Sequence, residues 1–400
     1  MKKRIYQINP QLLKVAFLLS CCAISMGIVR PMLPLYLASI KLETSMVGII
    51  VSISMAGMIL GESLSGMIAD RFGMRLPLLL STLVCGLTLF GFVLGTSLPL
   101  LVIFTFFWGC FRVIMVGPVR GYMAEAAPPD KRATYIAISS AILSLSRGVG
   151  ALPGGIIVDR LGFDWIFYVA GILAIAGSLG VISRKKPTPI PAIKITDRSA
   201  VQNKRKWMPA FILLIMIGMF GFLNIGILLT YVPLLGTEVM GISATSVGLI
   251  FTVNGLATMA FSVPGGAIAD KIGKRTTMML GLAICAVAMG GIAWTHDLHL
   301  VLGLAVVHAL GMALFMTSAI GVLTDFVPHS RLATYIGLYG GIGENSGLML
   351  GSAVGGFVWQ WLGVSATFIT ALISCGIGIL LCLLLKKVMV EETSETIYNT

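Results

Sequence analysis

Residues 66–75 read GMIADRFGMR, and residues 266–275 read GAIADKIGKR. Six of the ten positions are identical at an offset of 200 in a chain of 400 residues, and the charges at 70, 71 and 75 keep their sign. The repeat extends well beyond this string. TSMVGII at 44–50 matches ATSVGLI at 244–250, and EAAPPDKRATYI at 125–136 matches DFVPHSRLATYI at 325–336. GALPGGIIVDRLG at 150–162 matches GSAVGGFVWQWLG at 351–363 with one residue of slippage, and Pro34 corresponds to Pro233. The chain is two related halves in tandem.

Composition says where those halves reside. With 57% hydrophobic and 11% charged residues, the chain is far from the roughly 25% charge of a soluble domain. Twelve apolar stretches lie near 12–38, 46–68, 77–96, 99–122, 134–157, 164–183, 208–235, 245–268, 277–295, 298–323, 335–358 and 365–385. About 20 apolar residues in a helix cross a hydrocarbon core of about 30 Å. The expected fold is therefore all-α, with twelve transmembrane helices. Six spans separate equivalent positions, so the halves insert in the same orientation, the parallel arrangement of one large class of secondary transporters. Expected boundaries are 1–183 for the first six-helix bundle, 184–207 for a Pro- and Lys/Arg-rich linker, 208–385 for the second bundle and 386–400 for a charged tail.

The net charge of +12 is a matter of topology. Short loops alternate between basic and nearly uncharged. One side holds Lys2, Lys3, Arg4 and Lys14, the linker cluster from Arg184 to Lys206, and the loops containing Arg71, Arg75, Lys271 and Arg275. The other side has Lys41 and Arg160. Excess Lys and Arg mark the cytoplasmic side, so both termini and the linker are expected there, in the plasma membrane (a bacterial inner membrane). Nucleic acid is not an expected partner. The seven cysteines lie in apolar spans without a CxxC, and His296 and His299 lack a third ligand nearby, so no metal or other cofactor is expected. GKR at 273–275 lacks the Ser/Thr and upstream glycine of a P-loop. No catalytic motif is present, so the chain is not expected to be an enzyme, and any transport would be driven by gradients.

The pattern Gly-x-x-x-Asp-Arg/Lys-x-Gly-x-Arg/Lys between spans 2 and 3, repeated between spans 8 and 9, resembles motif A of the major facilitator superfamily. The resemblance covers essentially the whole chain. It implies two six-helix bundles and a central site exposed alternately to each side, lined by helices 1, 4, 7 and 10 and flanked by helices 2, 5, 8 and 11. It assigns Gly66, Asp70, Arg71, Gly73 and Arg75, with Gly266, Asp270, Lys271, Gly273 and Arg275, to a cytoplasmic gate. The small residues Gly66 and Gly266 would allow close helix contact, and Gly73 and Gly273 the tight turn after each helix. Asp70 and Asp270 would pair with a neighbouring helix N-terminus, which favours anions. Glu125 and Asp325 are expected partners of Arg75 and Arg275. Gly150, Pro153, Gly154 and Gly155 resemble the antiporter motif of helix 5, with Ala151 where that motif has proline. The same glycine skeleton in helix 11 leaves a packing role open.

Ionisable residues inside spans carry the specific information, because each costs some 2.5–3.5 kcal/mol on insertion scales. They are Arg30, Arg112 and Arg147, with Glu62 and Glu344. The repeat places Met312 opposite Arg112, Leu348 opposite Arg147, Ser262 opposite Glu62 and Leu143 opposite Glu344. The scaffold thus does without these charges in its other half. Counting from basic-side markers, the three arginines lie about 20–24 Å deep and the two acids about 12–15 Å. Arg112 shares a helix face with Trp108, and with Gly117 loosely resembles the family's motif B. Asn224 and His308 add polar groups to the second half's share of the central cavity, and interhelical hydrogen bonding is the competing role for each.

These residues describe a secondary active transporter resembling the drug:proton antiporter branch. Its expected activity is proton-coupled efflux of a small amphiphilic or hydrophobic compound, with the proton as coupling ion and Glu62 or Glu344 as its carrier. That branch usually has an acid in helix 1, where this chain has Arg30. A transporter or flippase of an organic anion or anionic amphiphile is the alternative. A non-transporting receptor or scaffold is a third class, disfavoured because no soluble signalling domain has room. The expected partners are a small molecule and the lipid bilayer, and the expected state is a monomer.

Overall fold

The computed structural model describes residues 10–126, 132–181, 204–327 and 332–398. Among these residues all regular structure is helical. In the first half the helices are α1 (Pro10–Ser39), α2 (Thr44–Phe72), α3 (Arg75–Leu94), α4 (Leu98–Phe111, resuming at Val116–Ala126), α5 (Arg132–Leu161) and α6 (Phe163–Ala176). In the second they are α7 (Lys204–Leu234), α8 (Ala244–Ile272), α9 (Lys274–Trp294), α10 (Leu298–Phe326), α11 (Leu332–Leu338, a π-helical stretch Tyr339–Glu344, then Asn345–Leu362) and α12 (Val364–Tyr398). Eleven helices among the described residues are long and apolar enough to cross a membrane by themselves. The expected apolar run of span 11 falls outside that set. Its segment 339–352 reads YGGIGENSGLMLGS, and glycine and polar residues dilute it because this helix packs on protein along much of its length.

Each half closes on itself, with α1 on α5 and α6, α2 on α4 and α3 on α6, and correspondingly α7 on α11 and α12, α8 on α10 and α9 on α12. The halves meet along two seams, α2 with α11 and α5 with α8. Helices alternate in direction, so the loops at 73–74 and 273 share one end with the close of α6 and the start of α7, called here the basic end. The turns at 40–43, 162, 240–243 and 363 lie at the far end.

Glycine decides how close the seams come. At Gly48 and Gly248 on the entering helices, and at Gly155 and Gly356 on the helices they meet, an added Cβ would run into backbone of the opposite half. These four are two repeat-related pairs, and all sit toward the far end. At Gly66 and Gly266, near the basic end, a Cβ would meet nothing within 4 Å. The expectation that these two permit a close helix contact is therefore not met among the described residues of this structure. Turn geometry follows the repeat as well. Gly73 and Gly273 have φ of 76° and 93°, left-handed values that suit glycine. Lys41, at φ 62°, holds the conformation that Gly241, at φ 64°, holds in the other half.

One span departs from a continuous helix. α4 breaks into hydrogen-bonded turns between Arg112 and Met115. Pro118 has no N–H to offer the carbonyl of Ile114, and Ser65 of α2 supplies the missing donor, its Oγ 2.8 Å from that oxygen. Arg112 closes the first segment, its N–H still bonded to the carbonyl of Trp108 at 3.2 Å.

Candidate functional site

Three arginines from three helices converge in the first half. Arg30 on α1, Arg112 at the break in α4 and Arg147 on α5 lie within electrostatic range of one another, and Glu62 on α2 within range of Arg112. Arg112 is 2% exposed. Its Cζ lies 4.2 Å from the ring centroid of Trp108, itself fully buried, a cation–π contact. Nη2 donates toward Sδ of Met58 at 2.7 Å and Sδ of Met55 at 3.7 Å, both weak thioether acceptors. Nε and Nη1 of Arg112 are buried without a hydrogen-bond partner, as is Nε of Arg30. Arg147 is half-buried, its Nε donating to the carbonyl of Leu143 at 3.1 Å.

Buried charged donors left unpaired are costly. The planar guanidinium fork matches a carboxylate, sulfonate or phosphate in two parallel bonds. The cluster leaves three buried guanidinium nitrogens without a partner, those of Arg112 lying beside Trp108, Met55 and Met58.

The two candidate carriers differ in setting. Glu62 lies on the seam and accepts a hydrogen bond from Nδ2 of Asn345 on α11, 3.1 Å away. Asn345 is the first residue beyond the π-helical stretch that ends at Glu344. Glu344 is half-buried, within electrostatic range of the Tyr339 phenol.

In the second half, Asn224 and His308 form their own buried cluster. His308 Nε2 and Asn224 Oδ1 are 2.8 Å apart, and Asn254 Nδ2 is 3.4 Å from His308 Nδ1. Asn254 also donates to the carbonyl of Ala305 at 2.8 Å, and Asn224 to that of Gly221. Asn224 has no exposed surface and His308 only 2%. These hydrogen bonds tie α7, α8 and α10 together, the interhelical role that the sequence also allowed for Asn224 and His308.

The motif A residues divide. The side chains of Asp70 and Glu125 lie outside the described residues. Arg71 and Arg75 are exposed, Arg71 stacking over Phe72 with Cζ 5.4 Å from the centroid. In the second copy the expected Asp325–Arg275 pair is corrected. Asp325 pairs with Lys274 at 2.5 Å, while Arg275 Nε donates to the Cys382 carbonyl at 2.6 Å. Arg275 points along α12, so the residue before it in sequence faces α10. Lys271 is exposed. Asp270 is exposed at a cavity of about 400 Å³ that Lys274, Arg275 and Asp325 also line. It caps no described helix; the N-terminus of α9 beside it has Gly273 in the cap position and no side-chain bond.

The helix 5 glycines serve contacts. Gly150 and Gly154 lie against backbone of α1, and Gly155 against the start of α8. Pro153 is exposed within the helix.

Sequence reasoning passed over the far end. There the carboxylate of Asp159 accepts from the backbone N–H of Ala244 at 3.0 Å and of Thr245 at 2.8 Å, and from the Thr245 hydroxyl. Gln360 accepts from the N–H of Ser45 at 3.3 Å and donates to Glu43 at 3.0 Å. Asp159 and Gln360 are equivalent in the repeat, as are Glu43 and Ser243. That correspondence was the signal available. Met55 and Met58 gave none, being apolar residues in an apolar span.

Two parallel six-helix units meeting along α2–α11 and α5–α8, with charged groups from α1, α4 and α5 converging between membrane faces, define a secondary transporter. The family model of the Major Facilitator Superfamily matches residues 15–246 and 217–396, and the chain belongs to that superfamily. It is 21% identical over 376 residues to an uncharacterized MFS-type transporter of Methanocaldococcus jannaschii, covering 91% of this chain and 95% of that one. It is 28% identical over 137 residues to the quinolone resistance protein NorA of Staphylococcus aureus, an alignment covering 34% of this chain and 35% of NorA. Among solved structures, a bacterial homologue of the human lysosomal transporter Spinster superposes with a TM-score of 0.82, covering 98% of this chain and 99% of that one at 15% identity. The fold is that of a transporter, not an enzyme.

Proposed function

We propose that this protein is a proton-coupled exporter of small amphiphiles that carry an anionic group. The observation that carries the reading is Arg112, buried midway along its span with two guanidinium nitrogens unpartnered and two more arginines nearby. The anionic group of the substrate takes those donors, and the second half accepts its apolar part. The basic end faces the cytoplasm of a plasma membrane, as the Lys and Arg distribution favours. Residues 1–183 and 208–385 act as the two rocking bodies of a monomer.

Glu62 carries the coupling proton. A carboxylate gains its proton more readily when buried and loses it more readily beside an arginine. Glu62 stands on the seam between halves, within range of Arg112 and bonded to Asn345 across that seam. Rocking must change both influences. Similarity to NorA over about a third of the chain supports efflux as the direction. The arginine in helix 1, where the drug:proton branch has an acid, favours an anion over a cation.

The test is transport in proteoliposomes, scanning anionic and cationic amphiphiles with and without an imposed pH gradient. Uphill movement of anionic members that depends on the gradient and fails in Arg112→Lys is expected. Uphill movement of permanent cations, unaffected by Arg30→Ala and Arg112→Ala together, contradicts the proposal.

A further inference from the structure

At the far end, two polar contacts join the halves, and they are related by the internal repeat. On one seam Asp159, near the end of α5, caps the start of α8 through the N–H groups of Ala244 and Thr245 and the Thr245 hydroxyl, with the Ser243 side chain beside the same carboxylate. On the other seam Gln360, near the end of α11, accepts from the Ser45 N–H at the start of α2 and donates to Glu43. Beneath each contact a repeat-related glycine, Gly155 or Gly356, lets the helix start approach.

The chemistry of each contact fits its own seam. Where the residue before the helix is Ser243, the clamping residue is an acid. Where it is Glu43, the clamping residue is a neutral amide that can donate. Had Gln360 been an acid like its counterpart, two carboxylates would face each other, a destabilising arrangement. Both contacts use backbone N–H groups of a helix's first turn, which have no partner inside the helix. An acid there also gains from the helix dipole. The two contacts join the halves where they are together, while at the basic end Gly66 and Gly266 face open space.

We propose that Asp159 and Gln360 form a paired latch that must release each time the far side of the transporter opens. They are positioning residues for the transport cycle: they touch no substrate and set how much of the protein is closed at the far end. The proposal does not depend on which substrate is carried or on proton coupling. Breaking either contact raises the far-side-open population, and exchanging the chemistry of one seam for that of the other restores closure.

The test uses the full-length protein in nanodiscs with nitroxides at Leu161→Cys and Leu362→Cys. These exposed, repeat-equivalent positions lie at the far ends of α5 and α11, and the native cysteines are buried. Electron–electron distance measurements then read the closed and open populations. Asp159→Ala and Gln360→Asp should each raise the open-to-closed ratio about fivefold, as loss of a helix cap would. Adding Glu43→Ser to Gln360→Asp recreates the pairing of the other seam and should return the ratio to that of the parent. If the single variants leave the distances unchanged, the latch is refuted. If Glu43→Ser fails to reverse Gln360→Asp while the double variant remains monodisperse, the paired chemistry is refuted.

Discussion

Nδ2 of Asn345 lies 3.1 Å from Oε2 of Glu62, a hydrogen bond that crosses from the second half to the first. It ties the acid proposed to carry the proton to the body that must move relative to it. Glu62→Gln keeps an oxygen for Asn345 but cannot ionise. Transport against a gradient, driven by a pH difference, should be abolished, whereas substrate exchange at equal pH continues. Substrate accumulation at the parent rate by Glu62→Gln would assign Glu62 a structural role.

Arg112 sets function against stability. Its surroundings are two thioethers and an indole, and two of its nitrogens are unpaired. Replacing buried ionic groups by apolar residues of similar volume is often neutral or stabilising by about 1–4 kcal/mol. Arg112→Met, which copies the repeat-equivalent Met312, should therefore raise the thermal unfolding midpoint of the substrate-free protein while removing binding of anionic amphiphiles. A lower midpoint would show that the charge is satisfied in the substrate-free state.

The glycines of the two ends should respond differently. An added side chain at Gly248 would collide with backbone of α5, so Gly248→Val should lower stability, by about 1–3 kcal/mol as overpacking generally does. At Gly66 an added Cβ would meet nothing within 4 Å. Gly66→Leu should leave the unfolding midpoint of this state nearly unchanged yet stop turnover, because the basic end must close for the far end to open. Full transport by Gly66→Leu would mean that the basic ends never come together at that point.

The resemblance to motif A would put Asp70 in the same closure. Asp70→Asn should cut transport strongly with normal insertion and folding, and Asp270→Asn should do less. Expression compared with transport in the same vesicles checks this, and undiminished transport by Asp70→Asn removes motif A from the gate.

What could be read in the sequence followed from periodicity and repetition. Apolar length located the helices, and the 200-residue offset placed Gly73 and Gly273 at equivalent turns. Depth counted from basic markers put three arginines at one level, and the structure has them within range of one another. Partner choice was less legible, because it depends on side-chain direction at helix ends. Lys274 and Arg275 are adjacent in sequence but point to different helices, so the sequence offered no way to choose between them for Asp325. The break after Arg112 was not anticipated, and its completion by Ser65 is a tertiary contact. Asn224 and His308 read as cavity or interhelical residues, and their hydrogen bonds to each other and to Asn254 are tertiary contacts that no local pattern announces. The far-end contacts were hidden because Asp159 and Gln360 differ in charge, and only their partners explain the difference.

The central claim is that buried guanidinium groups recognise an anionic amphiphile. Equilibrium binding to the purified protein tests it most directly, using two ligands with the same alkyl tail, one ending in a sulfonate and the other in trimethylammonium. Tight binding of the sulfonate is expected, weakened about tenfold or more by Arg112→Lys, a loss of at least ~1.4 kcal/mol, because an ammonium cannot reproduce the two-pronged contact. Tighter binding of the trimethylammonium ligand, unchanged when Arg30 and Arg112 are both replaced by alanine, would contradict it.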